Sequence, residues 1–318
     1  MSSVKHLADC IEQDLRHYLP KAYKNPLHKL SVMVGCMIET QSCNTMALAA
    51  RLPMESGRFE SRYRWVERFL STETIEDMPV MESLCIPLLE TVSRNGQMVV
   101  ASFDQTSIGD DRAIAMLSVR VGERAVPLFW SVALTKGNMP VNAYLPLLER
   151  LKSVLPENAE ALILGDRFFG TSELIAACQR HGFHYRLRLK GNLTLAHQGG
   201  ELRVDDMAKL KLNGLVNAQM GGSGVITNIG YIHEKGHPEP WFIAMNAIPS
   251  KTTVLDYGLR WSIETLFSDY KTRGFGLEDT HLQRPNRISR LLLVMAIALY
   301  WATINGRHAQ KNAGIQAA

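Results

Sequence analysis

The sequence predicts an α/β fold: a mixed sheet flanked by helices, with a β-rich insertion and an N-terminal helical region. Three observations carry this. Residues before about 92 place apolar side chains at helical spacing. From 97 to 190, short apolar or alternating runs interleave with helical stretches in the order strand, hairpin, helix, strand, helix, strand. From 191 to 250, Gly-Gly, Asn-Gly and Gly-Gly-Ser-Gly turns separate further β-like runs.

In the first region, helical periodicity covers 4–18, 29–40, 43–51 and 61–70, with breaks at Leu52-Pro53 and Ser56-Gly57. Arg58, Arg62, Arg64 and Arg68 interleave there with Tyr63, Trp65 and Phe69. A solvated charged helix face and a DNA-contacting patch fit that pattern equally. The texture changes at Asn95-Gly96. Residues 97–103 form an apolar run ending in Asp104 and read as a central buried strand. The runs 113–121 and 125–132 read as a hairpin turning at Gly122-Glu123. Residues 142–155 read as a helix, and 161–164 as a second fully apolar strand ending at Gly165-Asp166. Residues 171–180 read as a helix capped by Thr171. Residues 183–190 alternate as a strand, Arg186, Arg188 and Lys190 on one face and Tyr185, Leu187 and Leu189 on the other. The stretch 191–250 is too long for a plain loop, and its runs 225–232 and 241–244 read as strands. The organisation expected is thus 1–92 helical, 93–190 the first part of the sheet domain, 191–250 the insertion and 251–318 its second part.

Two carboxylates stand out. Asp104 and Asp166 each follow a run too apolar to need a charge for solubility, at strand ends, where α/β sheets place their sites. A carboxylate at a buried edge is costly unless a metal or another cation compensates it. Asp110-Asp111 sits in a turn and reads as solvated, and Asp205-Asp206 as a helix cap or turn.

Residues 256–271, DYGLRWSIETLFSDYK, carry the third. On an α-helix Tyr257, Arg260, Glu264 and Lys271 fall at roughly 0°, 300°, 340° and 320°, one polar stripe, while Leu255, Leu259, Ile263, Leu266 and Tyr270 gather opposite. On chemistry alone this reads first as an amphipathic helix with a solvated i,i+4 ion pair.

The full pattern is more specific. The spacing Tyr-x2-Arg-x3-Glu-x6-Lys at Tyr257, Arg260, Glu264 and Lys271, preceded by Asp104 and Asp166, resembles the signature of DDE transposases of the insertion-sequence-four family. The resemblance implies a ribonuclease-H-like fold and a catalytic triad of Asp104, Asp166 and Glu264. Those three would bind two Mg²⁺ ions, with Mn²⁺ able to substitute, for phosphoryl transfer on DNA. It implies DNA contacts by Tyr257, Arg260 and Lys271, by Arg188, and by the N-terminal region with Arg62, Arg64 and Arg68. It implies that Trp241, otherwise a strand tryptophan in the insertion's core, stacks on a base flipped out of the duplex. The partners implied are double-stranded DNA, as transposon ends and target, and a second copy of the chain in a synaptic homodimer.

Composition bounds the alternatives. The 318 residues, 46% hydrophobic and 21% charged, indicate a soluble globular protein of more than one domain. A net charge of +4 permits nucleic-acid binding through local patches without demanding it. The five scattered cysteines show no zinc spacing or disulfide framework, which fits a reduced cytoplasm and, with the resemblance, the bacterial nucleoid. Residues 1–20 do not read as a signal peptide, and the apolar run 291–301 is too short to span a bilayer, so no membrane is expected. Two rival readings are a non-catalytic DNA-binding regulator, which has no need of three intact carboxylates, and a glycosidase using Asp104 and Asp166, which leaves the basic stripe unexplained.

Overall fold

The structure is a computed structural model that describes residues 3–54, 58–197, 199–234, 236, 238–271 and 273–316, the side chains of 305–316 excepted. Five helices open the chain: α1 (Ser3–Tyr18), α2 (Lys24–Thr40), α3 (Thr45–Arg51), α4 (Phe59–Leu70) and α5 (Asp77–Val92). The last has no counterpart among the helical segments expected, because its hydrophobics, with Pro87 inside, lack a clean stripe. Ser56-Gly57 lies outside the described residues.

One mixed sheet follows. β1 (Val99–Ile108), β2 (Arg112–Val121) and β3 (Arg124–Leu134) form an antiparallel meander, turning at Gly122 with φ +67°. After α6 (Leu145–Val154), β4 (Ala161–Gly165) pairs parallel with β1. After α7 (Ser172–His181), whose Thr171 cap accepts from the Leu174 N–H at 3.3 Å, β5 (His184–Arg188) pairs parallel with β4. Residues 191–250 supply β6 (Thr194–His197), β7 (Gly200–Arg203), the short α8 (Asp206–Lys209), β8 (Gly214–Met220), β9 (Ile226–Ile232) and β10 (Trp241–Met245). These strands continue the same sheet, in the order β3-β2-β1-β4-β5-β10-β9-β8-β6-β7, with β10 antiparallel to β5. The fold is therefore mixed α/β, a large mixed sheet flanked by helices, as expected.

The chain closes with α9 (Lys251–Leu255), a 3₁₀ segment (Asp256–Trp261), α10 (Ser262–Tyr270) and α11 (Pro285–Gln316). Here three expectations are corrected. Residues 256–271 are not one α-helix: the first six residues wind as 3₁₀, and Lys271 leaves helical geometry at φ −92°, ψ −82°. The tighter winding turns the first half of the stripe inward. Tyr257 and Arg260 are buried while Leu255 and Leu259 are only half-buried, the reverse of the α-helical expectation. Second, β1 does not end at Asp104. Its parallel pairing with β4 stops at Phe103, but residues 104–108 continue beside β2, so Asp104 lies where a strand leaves one neighbour and keeps the other. Third, the final apolar helix is longer than 291–301. Pro285–Ile304 is long and apolar enough to cross a membrane by length and composition, yet more than half of it is buried, and α11 packs on β3, α2, α4 and α5. Residues 291–298 of this helix are buried in the core.

Candidate active site

Strand register builds the floor of the site. Phe103 of β1 pairs with Gly165 of β4, and Gly165 with Leu187 of β5. The next residue on each strand is therefore Asp104, Asp166 and Arg188, a row just past the end of the parallel pairing. Two glycines let the chain turn there. A Cβ on Gly165 would meet the Phe169 Cβ at 2.6 Å, and a side chain on Gly170 would collide with the Arg188 carbonyl. Asp166 opens the turn, its Oδ1 accepting the Phe168 N–H at 2.8 Å.

The 3₁₀ segment lies across β1, β4 and β5, and α10 lies across β1, β2 and β3. Arg186 fastens that segment. It is buried, its Nε donates to the Thr253 carbonyl at 2.7 Å, and its Nη2 pairs with Asp256 at 3.0 Å. The basic face expected on this strand is thus divided. Arg186 is committed to structure, and Arg188, 18% exposed, reaches out to Glu239 at 2.9 Å.

Arg260 occupies the centre. Its Nη1 donates to Asp104 Oδ2 at 3.0 Å and its Nη2 to Glu264 Oε1 at 2.5 Å, and its guanidinium lies over the Tyr257 ring at 5.6 Å. Burial works against its charge, but Tyr257, Asp104 and Glu264 outweigh that and hold its pKa above the ordinary value. Burial pushes the Asp104 carboxyl up to about 6 against the pull of Arg260 and of the Gln105 N–H, with Asp166 and Glu264 raising it further. At this spot one guanidinium faces three carboxylates, Asp104, Glu264 and the neighbouring Asp166.

The remaining expected residues are dispersed. Trp241 is 8% exposed and packs edge-to-face on Tyr257, with ring centroids 5.1 Å apart. Lys271 pairs with Glu278 at 2.8 Å. On α4, Arg64 is exposed and pairs with Glu60 at 2.6 Å, Arg68 is exposed, and Arg62 is half-buried. No described contact joins Lys271 or these arginines to the carboxylates.

Two supporting residues had no signal in the sequence. Tyr144 is fully buried among Phe103, Phe168 and Phe169, and burial together with the Asp104 and Asp166 charges raises its pKa. Gln105 accepts from the Tyr144 hydroxyl at 2.7 Å and from the Met139 N–H at 2.8 Å, tying the loop before α6 to the residue beside Asp104. Only the sheet brings them together, since Tyr144 lies 39 residues from Gln105.

Among the described residues, no group of three or more His, Cys, Asp or Glu is spaced to hold a metal ion. The expected three-carboxylate cluster is instead two carboxylates bridged by Arg260, with Asp166 beside them. The donor chemistry still suits a hard divalent cation: all three are carboxylates, and two of them already hold a cationic group, the Arg260 guanidinium.

Residues 127–301 match the family model described as transposase DDE domain, a span that contains Asp166 and Glu264 and begins after Asp104. No curated protein matches the chain. Among solved structures it is similar to Ciona intestinalis endonuclease V in complex with a DNA 24-mer, at 14% identity over 54% of this chain and 87% of that one, with a TM-score of 0.32. It is also similar to human ENDOV, at 12% identity over 70% of this chain and 98% of that one, with a TM-score of 0.29.

Proposed function

We propose, from the premise that this chain belongs to the transposase DDE domain family, that it is a DNA transposase of the insertion-sequence-four kind. It would cleave and join DNA strands at the ends of its own element by cut-and-paste transposition. The observation that carries the reading is the row Asp104–Asp166 on neighbouring parallel strands, with Glu264 drawn to it through Arg260. A mixed sheet with two carboxylates on adjacent strands and a third on a helix supports a ribonuclease-H-like catalytic domain, built from 93–190 and 251–318 around the insertion 191–250.

Asp104, Asp166 and Glu264 would hold divalent ions, two Mg²⁺ with Mn²⁺ as a substitute. The chemistry such ions supply when bound is activation of an attacking oxygen and stabilisation of a leaving oxygen in an in-line phosphoryl displacement. The rest falls to this chain's own side chains. In the metal-free chain Arg260 stands in the ions' place between Asp104 and Glu264, and once displaced from it presents a fork that suits a phosphate. Tyr257 supports that fork through its ring face, and Trp241 supports Tyr257. Arg186 keeps the 3₁₀ segment on the sheet. Tyr144 and Gln105 close the apolar side of Asp104 against water.

In the reaction proposed, water attacks phosphorus at the element end, one P–O bond forms and one breaks, and a 3′-hydroxyl is released. That hydroxyl then attacks a second phosphodiester, again exchanging one P–O bond for another. Arg188 and Lys271 are proposed to hold the DNA strand, and Arg62, Arg64 and Arg68 on residues 1–92 to contact the ends. Trp241 would reach an extruded base only by leaving its seat against Tyr257. The working form would be a homodimer pairing two ends at the nucleoid of a bacterial cytoplasm.

The test is a Mg²⁺-dependent nicking assay on duplexes carrying the element's own ends. Wild-type protein should nick them, and D104N, D166N and E264Q should each lose cleavage by a factor of at least about 10³ while retaining binding. Near-normal cleavage by any of the three would remove that residue from the site. Binding without any cleavage by wild-type protein would make the chain a DNA-binding regulator.

A further inference from the structure

Beside the carboxylates lies a second cluster of opposite balance. Arg167 follows Asp166 directly, Arg188 stands next to Asp166 in the strand row, and Lys190 lies just beyond on the same chain. With Asn192 they line a cavity of about 460 Å³ that also includes Glu239. Glu239 Oε2 accepts from Arg167 Nη1 at 3.0 Å and from Arg188 Nη2 at 2.9 Å, and Arg188 also donates to the Pro240 carbonyl at 3.3 Å. Two guanidinium groups therefore share one carboxylate, with Lys190 lining the same cavity.

The way that carboxylate is held matters. Glu239 comes from the turn between β9 and β10, not from the strands that carry its partners, and it is 53% exposed. Arg167 is 55% exposed. Exposed ion pairs are weak and exchange readily. One carboxylate oxygen takes both guanidinium bonds, so each fork keeps donors free for a tetrahedral anion with more oxygens. Arg188 is more buried than its partners, at 18% exposed, and is tied to the Pro240 carbonyl. Arg167 follows Asp166 in the chain and Arg188 is next to Asp166 in the strand row, so the pocket adjoins the catalytic centre.

We propose that Arg167, Arg188 and Lys190 form a phosphate-binding site for the DNA backbone next to the catalytic carboxylates. In this proposal Glu239 occupies the site in the DNA-free chain as an internal stand-in for phosphate, and the DNA displaces it. The proposal rests on the DNA-cleaving reading and deepens it: it adds Arg167 and Lys190 as strand contacts and makes Glu239 a competitor that the substrate must remove. A phosphate seated there would lie just past Asp166, so displacement of Glu239 would accompany correct seating of the strand.

The test is equilibrium binding of a fluorescein-labelled duplex to the full chain, by anisotropy, across a series of salt concentrations without divalent metal. R167Q should weaken binding by about tenfold and reduce the slope of log K against log salt by about one. E239Q should do the reverse, tightening binding several-fold at low salt, because a competing carboxylate is gone. In the double variant R167Q/E239Q the gain from E239Q should shrink, since the two residues share one contact. Circular dichroism and thermal melts keep misfolding separate from lost binding. Wild-type protein that binds duplex normally, with E239Q neutral or weakening, would overturn this proposal alone. Wild-type protein that does not bind duplex would overturn the DNA-cleaving reading and this proposal with it.

Discussion

Two arginine–carboxylate clusters lie on either side of Asp166, and they differ in both stoichiometry and exposure. At Arg260 one guanidinium, 10% exposed, serves the largely buried Asp104 and the exposed Glu264 with Asp166 beside them, so negative charge is in excess. At Glu239 one carboxylate, 53% exposed, serves Arg167 and Arg188 with Lys190 in the same cavity, so positive charge is in excess and open to solvent. Excess negative charge calls for a cation, and excess positive charge for an anion. The two clusters fit the proposed reaction, which needs a cation on one side and a phosphate on the other. That is what phosphodiester chemistry requires. Each cluster also carries its own provisional counter-ion, Arg260 in the first and Glu239 in the second.

The contrast is broken most severely at Arg260. In metal-free buffer R260Q leaves the buried Asp104 without its cation, and removing one partner of a buried pair costs about 3 kcal/mol or more. Urea unfolding in chelator reads this directly. A loss under about 1 kcal/mol would mean that the cluster is not held by charge.

W241A tests the wall beneath it. The indole is buried against Tyr257, Ile243, Met245 and Val254, and truncating a buried tryptophan costs about 3 to 5 kcal/mol. If Trp241 serves packing in this way, nicking and unfolding stability fall together in W241A. A stable variant that nicks normally and fails only in a later step would assign it to an extruded base.

The acid behaviour of Asp104 sharpens the comparison. Its folded pKa of about 6 lies above the ordinary 3.8, so the folded chain holds this proton more tightly than the unfolded one. Between pH 4 and 6 the unfolded state ionises first, so metal-free stability falls as pH rises and levels off above about 6. The fall attributable to this group is on the order of 3 kcal/mol, and D104N should lack it. Wild-type and D104N curves of identical slope would contradict the burial assigned to Asp104.

The exposed cluster should answer least. E239Q and R167Q are expected to change unfolding stability by under about 1 kcal/mol, their effects appearing in DNA binding. A larger loss of stability would make Glu239 a structural tie rather than a displaceable one.

How much of this was legible in the sequence follows physical lines. Asp104 and Asp166 could be read because each ends a run that only a buried strand explains, and Glu264 because its spacing to Tyr257, Arg260 and Lys271 is specific. The hairpin at Gly122 and the Thr171 cap were legible because turns and caps are local chemistry. The inward turn of Tyr257 and Arg260 was not, because 3₁₀ winding here is set by tertiary anchors, Arg186 on Asp256 and on the Thr253 carbonyl. Glu239 was invisible for a related reason: its partners lie 72 and 51 residues away, and a glutamate between two prolines carries no periodic signal. The continuation of β1 past Asp104 was hidden because Gln105, Thr106 and Ser107 are polar, although β2 pairs with all of them.

The proposed function stands or falls on whether Asp104, Asp166 and Glu264 form a divalent-cation site whose place Arg260 holds. Titration of the full chain with Mn²⁺, read by the electron paramagnetic resonance of the free ion, tests it without recourse to catalysis. Saturable binding is expected for the wild type, weakened by at least about tenfold in each of D104N, D166N and E264Q. Tighter binding is expected in R260Q, where the competing guanidinium is gone. Mn²⁺ affinity unchanged in all three carboxylate variants, or weakened in R260Q, would contradict the proposed site.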